Sequence, residues 1–290
     1  MVKKLGLIMD FIKIEHTLFA LPFAYLGAFM AQGGMISSDK AILIATAFTG
    51  LRTSAMSLNR IIDREIDALN PRTADRHLPA GLISVRDAYV ITVISLAVYF
   101  VSAYLINTLA FFLSPVPALT ALIYPYLKRY TILSHYVLGL NLAYAPMGGW
   151  IAITDSFDIL GDDLLPFLIG IAVIFWVAGF DIIYAIQDYR FDLSYGIHSI
   201  PAKFGIQKAK IISALNHAVF FFILSTAILA LYNPGFIALA GLILIGLILL
   251  AEHLIVWFFR DERAIQISFF YLNASLSSVL LISIILDVFL

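Results

Sequence analysis

Apolar runs about as long as a membrane is thick alternate with short polar segments along the whole chain. A helix needs roughly 20 mostly apolar residues to cross the hydrocarbon core. Nine stretches reach or approach that length: residues 11–32, 41–66, 87–107, 110–127, 134–154, 164–189, 209–231, 235–258 and 265–289. The pattern predicts an all-α polytopic bundle of nine transmembrane helices forming one domain over residues 1–290. Met1 to Leu18 mixes lysines with apolar residues, but no small-residue cleavage site comes after it. The run is therefore expected to be the mature first helix. The fourth stretch is the shortest and carries Pro115, Pro117 and Pro125, which predicts a kink. Bundle interiors tolerate one because neighbouring helices satisfy the freed backbone groups.

Composition agrees. The 290 residues are 62% hydrophobic and 13% charged, against about 25% charged in soluble domains. There is no cysteine, so neither a disulfide framework nor a thiolate metal site is available. The net charge is -1, and the basic residues fall in inter-helix loops rather than in one stripe. This argues against nucleic-acid binding. With the amino terminus placed in the cytoplasm, that side collects Lys3, Lys4, Lys13, Arg72, Arg76, Arg86, Lys128, Arg129, Arg190, Lys203, Lys208, Lys210, Arg260 and Arg263. The opposite loops hold only Lys40. Such a bias sets orientation.

Two acidic stretches stand out against this background. NRIIDREID (Asn59 to Asp67) ends the second span, and YAIQDYRFD (Tyr184 to Asp192) ends the sixth. Asn59, Asp63 and Asp67 are spaced by four, as are Tyr184, Asp188 and Asp192, so each set lies on one helix face. Both are expected at the cytoplasmic side, where together they would cage a hard cation such as Mg²⁺, which takes carboxylate oxygens and substrate phosphates. Residues 41–67 at 1.5 Å each make a helix of about 40 Å, so Asp67 reaches headgroup depth and Asn59 lies deeper. The bland alternative for one such cluster is a frayed, solvated helix end. Two clusters of matching spacing weaken it, since ionisable groups within spans are costly and mark function.

Asp181 extends the second set. At helical spacing Asp181, Tyr184, Asp188 and Asp192 form one continuous stripe. Arg52, two turns before Asn59, needs a partner if buried, either an aspartate or a substrate anion. Arg72, Arg76, Lys128 and Arg129 are on the right side to contact phosphates, or else serve as ordinary positive-side anchors. The loops after the two motifs, about 67–86 and 190–208, each place a histidine before Pro-Ala and a glycine. His77 and His198 therefore occupy matching positions, for phosphate contact or for turn stabilisation. The echo predicts two four-helix repeats plus a ninth helix. Glu252 and His253, near the end of the eighth span, are expected at the interface. No HExxH, Gly-rich phosphate loop or nucleophile elbow is present.

These motifs resemble those of the UbiA superfamily of intramembrane prenyltransferases, NDxxDxxxD on the second helix and DxxxD on the sixth, often written DxxYxxxD in the quinone branch. Here they stand as NRIIDREID and DIIYAIQD, with RTADRHLPAG after the first. The departure is Arg60 where many members have aspartate. The resemblance implies transfer of a polyprenyl group from its diphosphate to an acceptor, with Mg²⁺ held by Asn59, Asp63, Asp67, Asp188 and Asp192. It implies phosphate contacts from Arg72, Lys128 and Arg129, and an acceptor carboxylate facing Arg52 or Arg129. Asp181 would stabilise the allylic cation or take the ring proton, and Tyr184 would position it. KIEHTLFALPFA, FDIIYAIQD and GIHSIP are most similar to the branch acting on 4-hydroxybenzoate or dihydroxynaphthoate in ubiquinone and menaquinone synthesis. That places the protein in a prokaryotic plasma membrane, its site toward the cytoplasm, with glyceryl phosphate and haem as the other family acceptors. Outside the family stand a secondary transporter, which would carry acids at the midplane, and a CDP-alcohol phosphotransferase. The latter has glycines inside its aspartate motif, absent here.

Overall fold

A computed structural model describes residues 2–259 and 265–290. Arg260 and Arg263, expected on the basic side, lie outside the described residues, as do the side chains of Lys3 and Lys4. Among the described residues the chain is helical, with no strand, and nine helices are long and apolar enough to cross a membrane. This is an integral membrane protein.

The chain starts with α1 (Val2–Phe11) and α2 (Ile14–Gln32). The expected single first helix is two, because Lys13 adopts a left-handed conformation, φ 50°, that no helix propagates. α1 instead seats Phe11 against Leu78, Ile83 and Ala88. α3 (Ser38–Leu69) runs unbroken for 32 residues and carries the first acidic stretch in its last turns. α4 (Val85–Ile106) comes next; then the fourth span breaks at Ser114 into α5 (Thr108–Leu113) and α6 (Pro115–Leu127). Pro115 begins α6, where a missing N–H costs nothing. α7 (Ser134–Thr154) is the fifth span. α8 (Leu164–Ala185) begins the sixth, which passes through a 3₁₀ turn (Ile186–Asp188) into α9 (Tyr189–Tyr195). α10 (Ile200–Phe204), α11 (Ile206–Ala227), α12 (Phe236–Phe258) and α13 (Asn273–Phe289) complete the chain, with π-helical turns at Ile228–Tyr232 and Ile267–Leu272.

The second and third spans of each half pack together, α3 on α4 and α8 on α11, while the first spans of the halves, α2 and α7, meet at the centre. Small residues permit that meeting. A Cβ on Gly149 would run into the Ala24 carbonyl and one on Gly27 into the Pro146 carbonyl, the close approach that drives helix association in lipid. Gly149→Val is expected to cost about 1–3 kcal/mol, read as a lower unfolding temperature in detergent. A core around Trp176, Phe23 and Phe220, all at most 1% exposed, fills the adjoining space. Outward faces stay apolar, as on α4 with Val90, Val93, Ile94 and Val101. Lys40 turns inward and donates to Ile106 O and Ala152 O at 2.8 Å each, satisfying the ends of α4 and α7.

Two expectations need correction. The acidic stripe of the sixth span is not continuous, because the 3₁₀ turn has about 3.0 residues per turn and re-aims Asp192 relative to Asp181. And Glu252 is not interfacial: it is fully buried, enclosed by α11 and by the π-turn before α13.

Candidate active site

The first acidic stretch is held by cations from other spans. Asp63, 1% exposed, accepts from Lys128 Nζ at 2.5 Å and from Asn59 Nδ2 at 3.2 Å, both on Oδ2. Its Oδ1 is buried with no hydrogen-bond partner. Arg129 spends its Nη2 on the Ile62 carbonyl at 2.7 Å and stays 3.9 Å from that free oxygen. One turn on, both oxygens of Asp67 accept from Arg76 Nη1, at 2.9 and 3.0 Å.

The loop after α3 then reaches across to the second stretch. Arg72 forks onto Asp188, Nε to Oδ1 at 2.8 Å and Nη2 to Oδ2, while Nη1 donates to the Tyr184 hydroxyl at 2.9 Å. Such planar two-point pairing is the arginine geometry suited to carboxylate and phosphate alike. Burial works against the Arg72 charge, but the bonds to Asp188 and Tyr184 prevail and the guanidinium titrates above its ordinary range. Asn70 Nδ2 also donates to Asp188 Oδ1, at 2.8 Å. Asn70 and Arg72 therefore tie the two motifs into one cluster, and the His198 N–H, bonded to Lys128 O at 2.7 Å, ties in the end of α6.

The remaining carboxylates of the sixth span look elsewhere. Asp192 accepts from Ser199 Oγ at 2.6 Å. Asp181 faces His135 Nδ1 at 2.7 Å. Since His135 Nε2 accepts from the Ile200 N–H at 3.2 Å, the imidazole proton sits on Nδ1 and is donated to Asp181. Among the described residues no three acid or imidazole groups converge on a point as a closed metal site.

Beside the cluster opens a cavity of about 1120 Å³. Arg60, Arg72, Arg76 and His77 line its charged end, and Ala103, Ile106, Leu113, Val116 and Ile151 its far, apolar end. Asp181, Tyr184, Asn59 and Arg52 border it between. Among the described residues Arg52 makes no ion pair or hydrogen bond; Tyr124 is its near neighbour. The two loop histidines are not equivalent. His77 is buried, 3.3 Å from Asp10 and edge-on to Phe11, and burial holds its imidazole below the ordinary range despite that aspartate. The His198 side chain is exposed and enters no bond of the cluster.

Sequence reasoning passed over Asn70, His135 and Tyr124, and gave Arg60 no role. Arg60 is 5% exposed, lies over the Phe11 ring, and has Nε and Nη1 unpartnered. A polar residue just past the motif was the available signal for Asn70. For His135 there was none, because it joins Asp181 only across two spans.

A profile of the UbiA prenyltransferase family matches residues 20–274. The chain is 30% identical over 235 residues to a 4-hydroxybenzoate octaprenyltransferase of Actinobacillus pleuropneumoniae serotype 5b (strain L20), covering 81% of this chain and 78% of that one. Its fold matches the apo structure of a UbiA homolog from Aeropyrum pernix K1 with a TM-score of 0.85 and 39% identity, covering 94% and 98% of the two chains. A UbiA homolog from Archaeoglobus fulgidus bound to DMAPP and Mg²⁺ shares the fold, with a TM-score of 0.69 and 21% identity over 96% and 98%. With the motifs, the nine spans and the matched profile in agreement, this chain belongs to the UbiA prenyltransferase family and is a prenyltransferase.

Proposed function

We infer that the protein transfers a polyprenyl group from polyprenyl diphosphate to a small aromatic acid, 4-hydroxybenzoate or a similar acceptor, with Mg²⁺. The carrying observation is that Arg72 and Arg76, which pair with Asp188 and Asp67, line one end of a mostly apolar cavity together with Asn59 and Tyr184 of the two acidic stretches. A diphosphate has a place at one end and its prenyl tail at the other.

The donor set suits Mg²⁺. That ion is held through one or two carboxylates plus substrate phosphates rather than an all-protein cage, and among the described residues Asp63 keeps one buried oxygen without a hydrogen bond. Asp63, Asp67 and Asp188 would hold the metal, with Asn59 and Asp192 beside them; the A. fulgidus relative's Mg²⁺ supports this. When bound, the ion offsets the charge that grows on the departing diphosphate.

The chain's own groups do the rest. Arg72, Arg76 and Lys128 are each paired with an acid, so an arriving diphosphate offers them exchange partners of the same geometry. Heterolysis of the allylic C–O bond then leaves pyrophosphate and an allylic cation, the apolar walls exclude water, and the acceptor ring attacks through carbon. Asp181, oriented by His135, faces the cavity as the carboxylate that stabilises the cation and receives the ring proton. Arg52, which makes no ion pair or hydrogen bond among the described residues, is the cation for an acceptor carboxylate, whereas Arg129 is engaged with Ile62. Most of the cavity's charged groups, Arg60, Arg72, Arg76 and His77 among them, lie at one end, which disfavours a transport pathway through the midplane. The basic-loop bias supports a site facing the cytoplasm, and the bacterial relative supports a prokaryotic plasma membrane.

Purified protein supplied with geranylgeranyl diphosphate and 4-hydroxybenzoate, dihydroxynaphthoate or glyceryl phosphate should yield a prenylated product by mass spectrometry. Stripping divalent metal with EDTA should lower the yield about a hundredfold or more, and added Mg²⁺ should restore it. Absence of product with every acceptor would remove this reading.

A further inference from the structure

Away from both motifs, α12 and the last span hold a buried polar network. Glu252 Oε1 accepts from Ser268 Oγ at 3.0 Å and from Asn273 Nδ2 at 3.4 Å. Asn273 Nδ2 also donates to the carbonyls of Ser268 at 2.9 Å and Phe269 at 3.2 Å, and its Oδ1 accepts from Trp176 Nε1 at 2.6 Å. These bonds gather at the π-helical turn Ile267–Leu272. A π-turn displaces carbonyls from their α-helical donors and is found mostly at functional places. Here Asn273 supplies the missing donor, and Glu252 holds Ser268 and Asn273 in place.

The turn aims Phe269 into the site. Its ring lies 4.4 Å from that of Tyr184, 5.4 Å from Phe180 and 5.6 Å from His16, all cavity-lining residues. Tyr184 in turn accepts from Arg72, which holds Asp188. A continuous set of contacts thus runs from Glu252 through the π-turn to the aromatic wall beside the charged end.

We propose that Glu252 is a positioning residue: through Ser268 and Asn273 it sets the π-turn that presents Phe269, with Tyr184 and Phe180, as the wall receiving the allylic end of the prenyl chain. This rests on prenyl diphosphate being the donor. The wall meets hydrocarbon, and the cations meet phosphate, so the two ligand halves separate the roles.

Binding of geranyl diphosphate and of inorganic pyrophosphate, each with Mg²⁺, is measured by calorimetry on purified protein. Glu252→Ala, the milder Ser268→Ala, and Phe269→Leu should each weaken geranyl diphosphate about tenfold and leave pyrophosphate unchanged. Glu252→Gln, which keeps the accepting oxygen, should restore wild-type binding. Effects of Glu252→Ala and Phe269→Leu should fall short of adding in the double variant. A Ser268→Ala protein that melts earlier yet binds geranyl diphosphate normally, equal weakening of both probes, or full additivity overturns the proposal. Failure of the wild type to bind geranyl diphosphate would instead fell the donor reading.

Discussion

Asp188→Asn is expected to cut prenyl transfer about a thousandfold in a protein that still folds. Asp188 is where the two halves of the site meet: it takes Asn70 and both arms of Arg72, and Arg72 reaches on to Tyr184. Asparagine is close to isosteric, so the fold should survive. It removes the charge that opposes Arg72 and offers an N–H₂ where the arginine needs an oxygen. The guanidinium, already half-buried, is left with part of its compensation gone, and one carboxylate is lost from the proposed metal site. Rate at saturating donor and acceptor, with unfolding temperature alongside, checks this. Turnover within threefold of wild type would mean that Asp188 is a structural counter-ion of Arg72.

Arg52→Leu should act differently. Arg52 borders the cavity and has no ion pair or hydrogen bond among the described residues, while Arg129, its rival for an acceptor carboxylate, is engaged. A buried cation without a partner is costly, and an anionic acceptor would relieve it. A hydrogen bond to a charged group is worth about 1.5–3 kcal/mol, so KM for the acceptor should rise about ten- to a hundredfold while KM for the prenyl diphosphate stays put. Steady-state titration of each substrate separates the two. A change confined to the donor's KM would assign Arg52 to phosphate.

Much of the molecule was legible in one dimension because its signals are local. Span positions come from apolar run length, and the acidic faces from spacing by four; the kink at Ser114–Pro115 comes from proline chemistry. The failures share a cause. His77 and His198 look alike in their loops, yet one is packed under α1 and the other is exposed. The stripe through Asp181 and Asp192 assumed a uniform helix, and a 3₁₀ turn divides it. Glu252 looked like an interfacial residue near a helix end, whereas Ser268 and Asn273, from the next span, enclose it.

The amino-acid order alone determined that nine runs are long and apolar enough to cross a membrane, that two acidic faces end the second and sixth of them, and that the motifs are those of one enzyme family. These are properties of hydropathy and of helical periodicity, which act over neighbouring residues. Only the tertiary structure decided which charge meets which: Lys128 on Asp63, Arg76 on Asp67, Arg72 on Asp188, His135 on Asp181, and Arg52 on nothing among the described residues. Ion pairing falls off within a few ångströms, and those distances are set by how helices far apart in the chain pack, through contacts such as Gly149 on Ala24.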